Sequence, residues 1–135
     1  MFVIDASITL AWCFDDESSR AADAVLERLE HEDALAPPHW PLDVANALWT
    51  AERRGRIGAV DLSRLRALLE GLPVQIAPLE VSTALWSVLE AAREHELTAY
   101  DAAYLDLARA RGLPLATVDE RLQAACADAG VELIG

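Results

Sequence analysis

The 135-residue chain predicts a single α/β domain over residues 1–135, three layers (α/β/α) around a mostly parallel sheet of about five strands. Three observations carry that expectation. Short β-branched or aliphatic runs alternate with longer segments whose apolar residues recur every three or four positions, as when helices cover both faces of a parallel sheet. The strand candidates are brief and mostly apolar, fitting strands buried on both sides. No repeat, low-complexity tract or Pro/Gly/Ser-rich linker divides the chain, and its length suits one domain.

The elements follow in order. Phe2-Val3-Ile4 is the first strand and ends in Asp5. A brief helical turn spans residues 7–14. A helix over residues 19–31 then places Ala22, Val25, Leu26 and Leu29 on one face. Ala34-Leu35-Ala36 is the second strand, stopped by Pro37-Pro38. Pro41 suits the first turn of the next helix, where its missing N–H costs nothing. That helix carries Val44, Ala45, Leu48 and Trp49 and stops near Gly55. Asp61 is the expected N-cap of a helix reaching Glu70, ahead of a third strand over residues 74–77. A helix over residues 82–95 aligns Leu85, Trp86, Leu89 and Ala92. Thr98-Ala99-Tyr100-Asp101 has the form of a capping box and opens a helix closing at Gly112. A strand over residues 115–118, a helix over 120–129 and a last strand over 131–134 complete the chain.

Composition excludes several classes. An apolar fraction of 53% rules out disorder. No stretch approaches the roughly 18–20 apolar residues that a membrane helix needs. No Arg precedes Arg20, and Asp5 interrupts the place where a signal peptide would be apolar, so a cytoplasmic location is expected. Cys13 and Cys126 stand far apart and outside any Cys-x-x-Cys spacing, as reduced thiols would. The 23 acidic residues against 11 basic ones give a net charge of −12, which opposes passive adhesion to nucleic acid. An enzyme acting on nucleic acid through bound cations is still allowed. All basic residues apart from three His are Arg; without Lys, Schiff-base and P-loop chemistry are excluded.

Parallel sheets bind ligands beyond the carboxyl ends of their strands. Asp5 follows the first strand and Asp119 the fourth, with Thr117 two residues earlier. Asp43 and Asp101 lie in the first turns of two helices. Crowding these four carboxylates would raise their proton affinity unless a cation joined them. All-oxygen donors select Mg²⁺ or Mn²⁺, which can activate a water for phosphodiester hydrolysis. Each acid also has an ordinary use as a helix cap or dipole partner. Ser7 either caps the following turn or holds a metal-bound water. Asp15-Asp16-Glu17 reads as a solvated loop, and His31, His39 and His95 as surface or loop residues. Trp12, Trp49 and Trp86 read mainly as core, with one apolar stripe left for a partner helix. Five arginines, Arg53, Arg54, Arg56, Arg64 and Arg66, fall within fourteen residues. They are either a solvated helical hairpin or an RNA-contacting edge, for which Arg53, Arg54 and Arg56 are the candidates.

Four blocks in register, Val3–Ser7, Pro41–Leu48, Tyr100–Leu105 and Leu115–Asp119, together resemble a PIN domain, most closely the VapC-type toxins of toxin–antitoxin pairs. The resemblance implies a Mg²⁺- or Mn²⁺-dependent endoribonuclease with Asp5, Asp43, Asp101 and Asp119 as catalytic metal ligands. It makes Ser7, Asn46 and Thr117 supporting residues. It also implies an RNA substrate, a small antitoxin partner and a homodimer. Asp43 departs from the pattern: the family usually has Glu ahead of the Asn46-Ala47-Leu48 element. One methylene less implies a water-bridged contact or weaker metal binding at that corner. Two rivals stand beside this reading. A phosphotransfer domain would need a Lys, which is absent; a catalytically silent interaction module would keep the acids as caps.

Overall fold

The computed structural model describes residues 1–134. Its sheet has five parallel strands in the order β3-β2-β1-β4-β5. These are β1 (Phe2–Ile4), β2 (Ala34–Ala36), β3 (Val74–Ile76), β4 (Leu115–Ala116) and β5 (Leu133–Ile134). β1 and β2 are wholly buried, and so is β4, because helices cover both faces. The edge strand β3 departs from the buried expectation: Gln75 and Ile76 are exposed. The chain leaves β1 in one direction toward β2 and β3 and later returns on its other side as β4 and β5. That reversal lies between β1 and β4, where an open parallel sheet forms a crevice at its carboxyl end.

Among the described residues eight α-helices join the strands: α1 (Ala6–Ala11), α2 (Arg20–Arg28), α3 (Trp40–Arg53), α4 (Ala59–Glu70), α5 (Val81–Thr83), α6 (Leu89–His95), α7 (Ala99–Arg111) and α8 (Glu120–Ala129). The core gathers Phe2, Val3, Ile4, Ile8, Leu105, Leu115 and Leu122, all essentially inaccessible to solvent. Caps fix several helix starts by accepting orphan N–H groups. Ser19 accepts from Ala22 N at 3.1 Å and Thr98 from Asp101 N at 3.1 Å. Gly112 and Gly130 end α7 and α8 with φ of 64° and 74°, a left-handed turn that glycine adopts without strain.

Three sequence expectations change. Gly58, not Asp61, is the N-cap of α4; Asp61 sits at the third helical position and its carboxylate accepts from Gly58 N at 3.3 Å. The acidic stretch Asp15–Glu17 is solvent-exposed as expected, and forms a short 3-10 turn beside Arg56. Ser7 is not the cap of α1; Asp5 is. The helix expected over residues 82–95 widens into a π-helical segment, Ala84–Val88, between α5 and α6. A wider turn displaces the 3.6-residue stripe. Val88, Ala91 and Ala92 therefore pack against Ala102 and Ala103 of α7, while Leu85 and Trp86 are 60% and 75% exposed.

Candidate active site

Asp5 occupies the crevice between β1 and β4 and is 4% exposed. Its carboxylate meets three donors at once. Ile8 N donates to Oδ1 at 3.0 Å, closing the first turn of α1. Ser7 Oγ lies 2.8 and 2.9 Å from the two oxygens, and Thr117 Oγ1 donates to Oδ2. Both hydroxyls are themselves positioned from β4's exit: Val118 N donates to Ser7 Oγ at 3.1 Å and Asp119 N to Thr117 Oγ1 at 3.0 Å. Burial pushes the Asp5 carboxyl up to about 6, against hydrogen bonds that favour its charged form; the negative charge of Asp119 pushes the same way. Asp119 also caps α8 through Leu122 N at 2.9 Å, so its capping and site positions coincide.

Asp101 and Asp43 approach from α7 and α3. The Asp101 carboxyl lies above the ordinary range, from partial burial and from the charges of Asp119 and Asp43. Asp43 accepts from the Tyr104 hydroxyl at 2.8 Å, and His39 Nε2 is 3.6 Å from the same oxygen. Burial and the charges of Asp43, Asp5 and Asp101 push the Tyr104 phenol far up, so it stays a neutral donor. These mutual influences link all four aspartates in one electrostatic neighbourhood, as their sequence positions led us to expect. Among the described residues, none of the four pairs with an arginine. Neither do three of their side chains already stand at ligating distance, since Asp5 and Asp43 turn toward protein hydroxyls. The donor set nevertheless suits a hard divalent ion: all oxygen, up to fourfold negative, with no arginine on any of the four among the described residues.

The PIN domain family pattern matches residues 2–128. The chain belongs to the PIN domain family. It is 37% identical to Exonuclease VapC9 of Pyrobaculum aerophilum over 98 residues, covering 71% of this chain and 70% of that protein. It is 35% identical to Ribonuclease VapC3 of Mycobacterium tuberculosis over 127 residues, covering 89% and 83% of the two. Its fold superposes on a toxin–antitoxin complex from Klebsiella pneumoniae with a TM-score of 0.61 at 18% identity, covering 88% and 87% of the chains.

In this PIN domain the sequence reading missed two site residues, His39 and Tyr104. His39 is no idle surface group: its Nε2 meets Tyr100 O at 2.9 Å, and its ring packs edge-on against Tyr100 and Tyr104. Their signal was local, His39 four residues before Asp43 and Tyr104 three after Asp101. His95 is also buried, with Nε2 lacking a partner among the described residues. Asn46 is exposed one turn beyond Asp43.

The arginine candidates separate. Arg56 is engaged with Asp16, Arg53 lies over the Trp49 ring at 5.4 Å, and Arg54 is exposed at the end of α3. Trp12 is half-buried and donates to Ala22 O at 2.7 Å, but Trp49 is 54% exposed, so the expected core role fails for it as for Trp86. The tryptophan that does fill the core is Trp40, which donates to Thr9 Oγ1 at 3.2 Å. A mainly apolar groove of about 370 Å³ runs between α3 and α4, lined by Trp40, Val44, Ala45, Leu48 and Leu69 and flanked by Arg66 and Glu70.

Proposed function

We propose that this VapC-type PIN protein is a metal-dependent endoribonuclease, the toxin of a type II toxin–antitoxin pair. Asp5, Asp101, Asp119 and Asp43 are the residues that hold Mg²⁺ or Mn²⁺. The single observation that carries the reading is the convergence of four carboxylates, none paired with an arginine among the described residues, on the β1/β4 crevice, two of them pushed toward protonation. A divalent ion there would supply positive charge and a water acidic enough to attack phosphorus near neutral pH.

The chain's own groups do the rest. Ser7 and Thr117 hold Asp5 in one orientation, as outer hydrogen-bond partners do for metal ligands. Tyr104 takes one oxygen of Asp43 and leaves the other for the ion or its water, which suits the short side chain. Hydrolysis forms one bond from the water oxygen to phosphorus and breaks one to a ribose oxygen, which departs with a proton. Arg53 and Arg54 draw the RNA backbone toward an otherwise acidic molecule. The α3–α4 groove accepts an apolar helix of the antitoxin, whose basic side chain answers the carboxylates. The exposed Val81, Leu85, Trp86 and Leu89 give a second copy an apolar face. Two free thiols, Cys13 and Cys126, fit a reducing cytoplasm.

Antitoxin-free protein with Mn²⁺ should cut a circular RNA, which offers no end to an exonuclease. Asp101→Asn should abolish cutting with the circular dichroism spectrum unchanged. Equal cutting by that variant, or trimming of linear RNA alone, would overturn the endoribonuclease reading.

A further inference from the structure

A recess of about 310 Å³ opens beside the carboxylates, lined by Ser7, Leu10, Ala11, Glu17, Val118 and Asp119. One wall belongs to the site already described, through Ser7 and Asp119. Glu17 also lines it, carried by the 3-10 turn Asp15–Glu17. That turn is held from a distant part of the chain. Arg56, between α3 and α4, donates to both Asp16 carboxylate oxygens at 2.9 and 3.0 Å. Its other terminal nitrogen lies 3.6 Å from Glu17 Oε1, and its guanidinium stacks on Phe14 at 4.3 Å. Glu17 faces the end of α1, where its charge helps raise the Cys13 thiol. The recess thus combines aliphatic side chains with the Glu17 carboxylate, which lies beside the Arg56 guanidinium, and with Asp119 of the site already described.

Single-stranded RNA is read by apolar contact with base faces and hydrogen bonds to base edges. An ionised carboxylate can only accept hydrogen bonds, so it selects an edge that donates. Guanine presents two adjacent donors, N1–H and the 2-amino group, matched to the two oxygens of one carboxylate. Uracil offers one donor between two carbonyls that repel it. We propose that the recess is a base-binding subsite selecting guanine beside the severed phosphodiester. Glu17 is its specificity-determining residue and Arg56 a positioning residue. The subsite's use during cleavage rests on the nuclease reading; its selectivity for the base does not.

The test uses neutral guanosine and uridine, which a chain of net charge −12 does not repel, titrated into the intact protein while NMR follows the amides of Leu10, Ala11 and Val118. Guanosine should bind roughly tenfold tighter than uridine, the scale of one bidentate base contact. Glu17→Gln should erase the preference, and Arg56→Ala should diminish it with the fold intact. No binding of either nucleoside, no preference in the parent protein, or a preference surviving Glu17→Gln would overturn the proposal. Arg56→Ala with undiminished selectivity would overturn its positioning role. Since the titration needs no turnover, its result is independent of whether Asp101→Asn stops cleavage. In a protein that does cut, ends released from a randomised RNA should be enriched in guanine on one side, an enrichment lost in Glu17→Gln.

Discussion

The two ends of the carboxylate cluster are built differently. Asp5 is buried, caps α1 and is gripped by Ser7, Thr117 and Ile8 N. Asp43 is half-exposed, with the Tyr104 hydroxyl as its donor and His39 nearby. At the Asp5 end the fold holds a carboxylate where its charge is costly and its orientation is fixed by three donors. At the Asp43 end solvent already shares the charge, and a single hydroxyl holds the side chain. The contrast teaches that burial and several donors fix a carboxylate where a strand ends, while one in the first turn of a helix stays partly solvated.

The comparison can be broken in four ways. Asp5→Asn should lower cleavage by at least about a hundredfold, the upper end of what losing mere supporting contacts costs a metal site. The metal-free variant should melt no lower than the parent at pH 7, because a buried charge disappears with the carboxylate. A large drop in melting temperature would mean that the Asp5 charge stabilises the fold.

The second concerns pH. The Asp5 carboxyl titrates near 6 in the folded chain against an ordinary value of 3.8. Between those values the folded state keeps a proton that the unfolded state has lost, so stability falls as pH rises through that window. The loss amounts to about 3 kcal/mol above pH 6. Urea titrations of chelated protein should show it, and Asp5→Asn should flatten that part of the profile. An opposite slope assigned to Asp5 would place its titration below the ordinary value.

Third, Tyr104→Phe frees Asp43 and should reduce cleavage at limiting Mn²⁺ by about tenfold, with about 1 kcal/mol lost from stability. Unchanged metal dependence would confine Tyr104 to packing. Fourth and smallest, Asp43→Glu restores the missing methylene and should lower the Mn²⁺ needed for half-maximal cleavage by about two- to threefold, under 1 kcal/mol. No shift would show that Asp43 does not meet the ion.

Much of this was legible without coordinates. Alternating apolar runs foretold five strands between helices, and strand ends pointed to Asp5 and Asp119, helix first turns to Asp43 and Asp101. Part of what escaped prediction depends on contacts between segments far apart in the chain. Tyr104 acquires its importance from Asp43, 61 residues away. The acidic turn meets Arg56, 40 residues from Asp16. Periodicity failed at Trp86 because a π-helical turn interrupts the repeat on which that reading depends.

Residue order alone determined the α/β class, the positions of the strands and an inventory rich in acids and without lysine, since these follow from local periodicity and composition. Tertiary structure decided which acids became neighbours, how far Asp5 is driven toward protonation, and that Glu17 faces the same crevice. Those outcomes depend on sheet order and burial, and the electrostatic cost of a charge is set by what surrounds it in space.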